Sequence, residues 1–278
     1  MMPSRFASVV DAAFAETPCA PGRWDVVRRG VRIAACLDDS WLAMKSPVVP
    51  DASPRELLAR NGALPGLVKF ARDGRGEIVA CAQIPIDDAT SAPQLIRDAC
   101  AGFEIAASPF SAVQEMPASP ADLTALCAEA GWNFTARSDG SLAVELECRG
   151  AFIQATLIAR GEGVHVFVEL ADCEESQTES VSAICALLLT AASAVRLARP
   201  AIESRDGKLA PRFEVAFSKM PDAAQLAHAL SALSVACAAC AEEVAALQNP
   251  NVAGEYLALR SQPSGCAHSA NKQQKETT

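Results

Sequence analysis

The sequence predicts an α+β protein made of two tandem units. Each unit is predicted to have the element order α-β-β-β-α-β-β-α, with an antiparallel sheet packed with helices. Residues 72–85 (RDGRGEIVACAQIP) and 204–221 (SRDGKLAPRFEVAFSKMP) both place an Arg-Asp-Gly turn before an alternating apolar strand that ends at a proline. Each half also begins with a helix whose apolar residues recur at helical spacing. A proline-containing stretch of little charge, residues 109–118, is predicted to be the linker between them.

Residues 1–108 form the first predicted unit. A helix is expected over residues 2–16, and turn signals after it divide the chain into short strands. Ser53 is the predicted cap of a second helix that ends at Asn61-Gly62. A hairpin with an Asp73-Gly74 turn and a closing helix complete the unit.

Residues 119–248 restart the same order. A short capped helix is followed by Trp132, which is predicted to open the strands as Trp24 does in the first unit. An apolar central helix, the second Arg-Asp-Gly hairpin and a long alanine-rich helix follow. Residues 249–278 lose periodicity and are predicted to be a disordered polar tail.

Composition and charge favour a reduced protein of the cytoplasm. The formal charge of −9 repels phosphate backbones and anionic lipids, so we expect no nucleic-acid or membrane partner, whereas basic or amphipathic protein segments remain suitable. The eleven cysteines are scattered and odd in number, which is typical of small buried side chains in a reducing compartment. Asp11 interrupts the short N-terminal apolar run, so we predict no secretory signal.

The motifs of catalysis and metal binding have weak counterparts here. Cys237 and Cys240 form a CxxC deep inside a predicted helix rather than at its start, so core packing explains them better than redox chemistry. We predict no metal site and no cofactor, since histidines at ligand spacing and glycine-rich phosphate loops are both missing from the sequence.

Five residues are candidates for contact with a partner. Alternation places His165, Phe167 and Glu169 on one face of a strand, where a cross-strand surface role is expected. His165 beside Glu169 could alternatively act as a general base. Trp41 and Trp132 lie near turns and could anchor a bound segment, although packing at the rim of a sheet is the commoner role for such residues.

The element order resembles the type III secretion chaperone fold and the YbjN-type proteins that share it, over roughly residues 1–248. The resemblance is one of architecture, without a motif. It implies a small acidic cytosolic protein that binds extended or helical segments of a partner on its sheet and groove surfaces. Such proteins are mostly dimers, so two copies in one chain would form a covalent pseudo-dimer.

The sequence therefore predicts a non-enzymatic protein-binding module that holds a segment of an effector or client protein. An antiparallel sheet with helices on one face leaves the other face free for such a segment. Two alternatives stay open: an enzyme or small-molecule binder that uses the groove between the units, and a structural subunit of a larger assembly.

Overall fold

The computed structural model describes residues 5–14, 18–47, 52–64, 66–86, 91–108 and 123–261. Within them the chain is α+β, with seven helices and two antiparallel sheets of five and seven strands. The fold class is therefore confirmed. The predicted linker, residues 109–118, lies outside the described residues.

The first half has the predicted element order. Its elements are α1 (Arg5–Phe14), β1 (Arg23–Arg28), β2 (Val31–Asp38), β3 (Trp41–Pro47), α2 (Pro54–Ala63), β4 (Lys69–Arg72), β5 (Ile78–Pro85) and α3 (Ala92–Ala107). Ser53 caps α2 as predicted, because its hydroxyl accepts from the Glu56 amide while the Glu56 carboxylate accepts from the Ser53 amide. Asp11 of α1 accepts a 2.8 Å hydrogen bond from the indole N–H of buried Trp24, which explains an acidic residue in that apolar helix.

The second half is longer than predicted. Its elements are α4 (Leu123–Glu129), β6 (Phe134–Ala136), β7 (Leu142–Cys148), β8 (Ala151–Arg160), β9 (Gly163–Glu169), β10 (Cys173–Glu174), α5 (Thr178–Ala191), β11 (Arg199–Arg205), β12 (Lys208–Phe217), α6 (Ala223–Leu247) and α7 (Pro250–Ser261). The short strands β6 and β10 and the helix α7 have no counterpart among the described residues of the first half.

The two sheets share one topology. The first runs β1-β2-β3-β5-β4, and the second contains the same pattern as β7-β8-β9-β12-β11, extended by β6 and β10. In each, a three-stranded meander is followed by a hairpin whose second strand pairs with the last strand of the meander. This correspondence supports the tandem arrangement, and the repeat itself stays a prediction.

Turn chemistry repeats at equivalent places. Arg29-Gly30 joins β1 to β2 and Arg149-Gly150 joins β7 to β8, and all four residues have positive φ, as a type I′ turn requires. Both Arg-Asp-Gly segments lie at the hairpins β4–β5 and β11–β12. The turns differ in length, because Asp206 and Gly207 close a two-residue turn whereas Asp73 accepts from two later amides in a longer loop.

The predicted equivalence of the two tryptophans is wrong. Trp24 lies within β1, which corresponds to β7. Trp132 instead precedes β6, the extra strand at the edge of the second sheet. Both tryptophans closely follow a glycine, but this local similarity does not show that the second half has an additional strand, β6, before its meander.

The prediction of a disordered tail from residue 249 is wrong for residues 250–261. These residues form α7, which packs against α5 and α6 and buries Ala253. The local signals were present, since the Asn249 side chain accepts from the Asn251 amide and Pro250 occupies the first helical position. Residues 262–278 lie outside the described part of the chain.

The helix α6 is long and apolar enough to cross a membrane by length and composition alone. Core helices of soluble proteins pass the same test, and α6 packs against β7, β9 and β12. Cys237 and Cys240 are buried on its sheet-facing side, where burial raises the pKa of their thiols to about 12 and about 11. These thiols therefore stay protonated at neutral pH, in agreement with core packing.

Candidate protein-binding surface

The first sheet has one covered face and one open face. Side chains alternate along its meander, and those that point toward α1 and α3 are buried: Trp24, Val26, Ile33, Ala35, Leu42 and Met44. The alternate side chains point to the other face, which these helices do not cover. The open face is the surface that the sequence predicted for a bound segment.

A groove of about 600 Å³ lies on this open face. Its floor consists of small side chains: Ala34, Cys36, Ala43 and Cys81. Register places Cys36 opposite Ala43, so the two central strands present little bulk above the sheet. A floor of small apolar side chains lets the backbone of a strand or helix approach closely.

Charged side chains form the rim of this groove. Asp25 accepts from Arg32 at 2.9 Å, and Asp73 accepts from Lys45 at 2.5 Å. The ammonium group of Lys45, together with backbone amides, holds the pKa of Asp73 below its usual value. Both rim pairs are solvent-accessible, so a partner could exchange its own charges for them at little cost.

One wall of the groove comes from the second half of the chain. Ser193, in the segment after α5, lines the groove, and its carbonyl accepts from the Gln83 side chain at 3.4 Å. Three residues later, the Arg196 guanidinium lies 5.0 Å from the centre of the Trp41 ring and pairs with Asp38. Trp41, the first residue of β3, is thus half-buried under an arginine.

On the second sheet, the face that corresponds to this open face is covered along β9 and β12 and exposed along β7 and β8. His165 is 2% exposed and Phe167 is 8% exposed, so the expectation that these two side chains form a surface is wrong. Nε2 of His165 lies 3.0 Å from Oε2 of Glu214, although its N–H is not aimed at that oxygen in hydrogen-bond geometry. A histidine this buried is out of reach of a substrate, which removes the geometric support for the general-base alternative.

Glu214 is the centre of a buried charge network that the sequence did not reveal. Its carboxylate accepts from Nε of Arg199 and from Nε of Arg212, each at 2.8 Å. Burial alone would raise the pKa of Glu214, but the two arginines and His165 outweigh it and hold the pKa well below its usual value. The guanidinium of Arg212 also lies 5.0 Å from the centre of the Phe167 ring.

The network reaches solvent through Glu169. Arg212 pairs with Glu203, which pairs with Arg205 at 2.7 Å, and Arg205 pairs with Glu169 at 3.0 Å. The structure thus joins three of the predicted residues, His165, Phe167 and Glu169, in one network. Trp41 and Trp132 lie elsewhere, Trp132 half-buried directly after α4.

Comparison with protein families bears on this second half of the chain. Residues 119–246 match the YbjN family. The family is described as "Putative bacterial sensory transduction regulator". The match runs over the α4–α6 region and does not extend to the first half. No curated protein matches the chain.

The match confirms the YbjN part of the predicted resemblance for the second unit. The charge network around Glu214 lies within the matched residues 119–246, which we call the YbjN domain after this match. A family described as a regulator agrees with a binding role for the domain. The family description contains nothing about type III secretion, and residues 1–108 lie outside the match.

Two basic side chains join the first half to the YbjN domain reciprocally. Lys69 begins β4 and donates to the carbonyls of Val195 and Ala198, just before β11. Arg199 begins β11 and donates to the carbonyls of Leu64 and Gly66, just before β4. Because β4 and β11 are equivalent strands, each half inserts a cation into the loop that leads to the other half's outer strand.

Asn61 of α2 completes this junction. Its Oδ1 accepts from the Phe70 amide at 2.6 Å, and its Nδ2 donates to the carbonyls of Phe70 and Pro200 at 3.2 and 2.9 Å. One buried side chain therefore bonds the edges of β4 and β11 together. We call Asn61, Lys69 and Arg199 the junction residues.

The junction residues had a weak sequence signal. Lys69 and Arg199 each stand inside an apolar stretch at the start of an Arg-Asp-Gly hairpin. A charged residue there in both units indicates a buried partner, because an unpaired charge would be costly to bury. Burial lowers the pKa of Lys69 to about 8, so the ammonium form still predominates at neutral pH.

Protonation of His165 should destabilise the fold. Burial lowers its pKa from 6.5, and the nearby guanidinium groups of Arg199 and Arg212 add to this, against the opposing effect of Glu214. Since the unfolded chain then binds the proton more readily, stability should fall as pH falls below about 6.5, by at most about 1.4 kcal/mol per pH unit. Urea unfolding between pH 7.5 and 5.5 measures this slope.

His165→Gln should reduce that slope, whereas His228→Gln, at an exposed position on α6, should leave it unchanged. An equal slope in the native chain and the His165 variant would contradict the assignment. Protonation of Glu203 and Glu214 does not affect this comparison, because the pKa values of both carboxyl groups are held below their ordinary value of 4.5.

Proposed function

We propose that this chain is a non-enzymatic regulator that holds a segment of a partner protein in the groove on its first sheet. The groove is the observation that carries the proposal: it combines an open antiparallel sheet, a floor of small apolar side chains and a rim of both charges. The YbjN domain supplies part of the wall through Ser193. The role is chaperone-like, as in type III secretion chaperones, and the partner is an effector or client in the cytoplasm.

The junction residues support a second element of the proposal. Lys69 and Arg199 occupy equivalent strands and make reciprocal contacts, as two subunits do across a two-fold axis. We propose that the halves form an internal pseudo-dimer. Because both halves belong to one chain, they are present in a one-to-one ratio. Their corresponding sheet faces can nevertheless carry different residues.

Site-directed photo-crosslinking tests the groove. A benzophenone amino acid in place of Ala43, on the groove floor, should yield one crosslinked protein from cells of the source organism. The matched control is Ala151, an exposed strand alanine on the second sheet, where the same crosslink should be absent.

A charge on the groove floor should then abolish the product. Ala34→Glu should remove the Ala43 crosslink while leaving the folded chain intact, since Ala34 is exposed. Circular dichroism checks the fold of that variant. Crosslinks of equal yield at Ala43 and Ala151, or a product that survives Ala34→Glu, would show that the groove is not the docking site.

A further inference from the structure

The outer face of the second sheet is the face that points away from α6. Side chains on this face contact two arginines. Across β7, β8 and β9, successive rows pair Glu147 with Phe152, Glu145 with Gln154, and Thr156 with Phe167. All of these side chains alternate to the same face, because paired residues and residues two apart share a face. The rows run from the Arg149-Gly150 turn toward the buried charge network.

Two arginines of the chain already occupy part of this face. Arg212 lies over the Phe167 ring and pairs with the Glu214 carboxylate. Arg137 donates to Oε1 of the Gln154 side chain at 2.6 Å and to the Thr156 hydroxyl at 3.2 Å. A ring next to a carboxylate, and a fork of side-chain acceptors, are both arrangements that suit a guanidinium group.

The row nearest the turn has the same chemistry without an arginine. Phe152 is 75% exposed, and Glu147 directly opposite it is exposed as well. Glu145, in the next row, is also exposed, and neither glutamate has an ion-pair partner among the described residues. Arg149 at the turn pairs with Glu242 of α6, on the helix side of the sheet.

We infer that Phe152, Glu147 and Glu145 form a binding site for an arginine side chain in a basic segment of a partner protein. The ring supplies a cation–π contact and the carboxylates supply the ion pair, as Phe167 and Glu214 do for Arg212. The overall charge of −9 increases the rate at which a basic segment arrives. This site lies on a different sheet from the groove and does not depend on the proposed function.

A defined peptide tests the inference directly. The probe is a labelled acetylated peptide of alternating alanine and arginine, titrated with the full chain at low ionic strength by fluorescence anisotropy. Phe152→Ala and Glu147→Gln should each weaken binding about threefold, and together roughly tenfold. A peptide with citrulline in place of arginine should not bind, since it keeps the shape and loses the charge.

Glu255→Gln is the matched control, because it removes one exposed carboxylate from α7. It should leave the affinity unchanged. If Glu255→Gln weakens binding as much as Glu147→Gln, the peptide follows the net charge alone and the site does not exist. Unaltered affinity in Phe152→Ala, or binding of the citrulline peptide, would overturn the inference equally.

Discussion

Arg199→Met is expected to lower the free energy of unfolding by about 3–5 kcal/mol, because it breaks a buried ion pair by removing one partner. Arg199 is fully enclosed, and its guanidinium donates to Glu214 and to the carbonyls of Leu64 and Gly66. Methionine fills similar space but leaves a buried carboxylate short of one cation and two carbonyls short of a donor. Urea denaturation followed by circular dichroism measures the change.

Arg205→Met is the matched control on the same strand. Arg205 also bonds two carboxylates, those of Glu169 and Glu203, but it is about half-exposed. Its loss should therefore cost less than about 1 kcal/mol. Equal costs for the two substitutions would contradict the view that burial makes Arg199 essential.

A conservative variant keeps this test informative if Arg199→Met does not fold. Arg199→Lys retains the charge but loses the planar fork that reaches Glu214 and the loop carbonyls together. It should fold with a stability between those of the native chain and Arg199→Met. A lysine variant as stable as the native chain would show that charge alone, without fork geometry, is enough at the junction.

Asn61→Ala is expected to cost about 3 kcal/mol or more, since each buried backbone group left unsatisfied costs about 1–3 kcal/mol. The Asn61 side chain bonds the amide and carbonyl of Phe70 and the carbonyl of Pro200. Alanine is too short to reach any of them. The same denaturation experiment gives the total cost.

Hydrogen exchange locates the effect of Asn61→Ala. The Phe70 amide should exchange faster in the variant, while amides in the β7–β8 hairpin should change no more than the global stability does. Asn251→Ala, at an exposed position on α7, is the control and should lie within about 0.5 kcal/mol of the native chain. An Asn61 variant that resembles this control would exclude a junction role for the amide.

Much of the fold was predictable because its signals are local. Ser53 and Pro54 mark the start of α2, and the Arg-Asp-Gly segments mark the two hairpins. Residues 250–261 show the limit of inference from periodicity, since α7 forms from a segment without a clear apolar stripe. Its capping residues were a better guide than its hydrophobic pattern.

The candidate site was predicted less well. Alternation placed His165, Phe167 and Glu169 on one face, and they do share it. Alternation tells which side chains share a face, but not whether another element covers it. For His165 and Phe167, the covering comes from Arg199, Arg212 and the segments at the junction, which are distant in sequence.

Local chemistry was enough to define the strands, their turns and the α+β class of this protein, because caps, turn residues and alternation act within a few residues. Which face of each sheet remains open depends on contacts between different strands and loops, which lie more than a hundred positions apart at the junction. Lys69 and Arg199 make such contacts, and their partners are backbone carbonyls, which carry no signature in the sequence. That is why the groove on the first sheet and the buried network on the second became visible in the folded chain and not before.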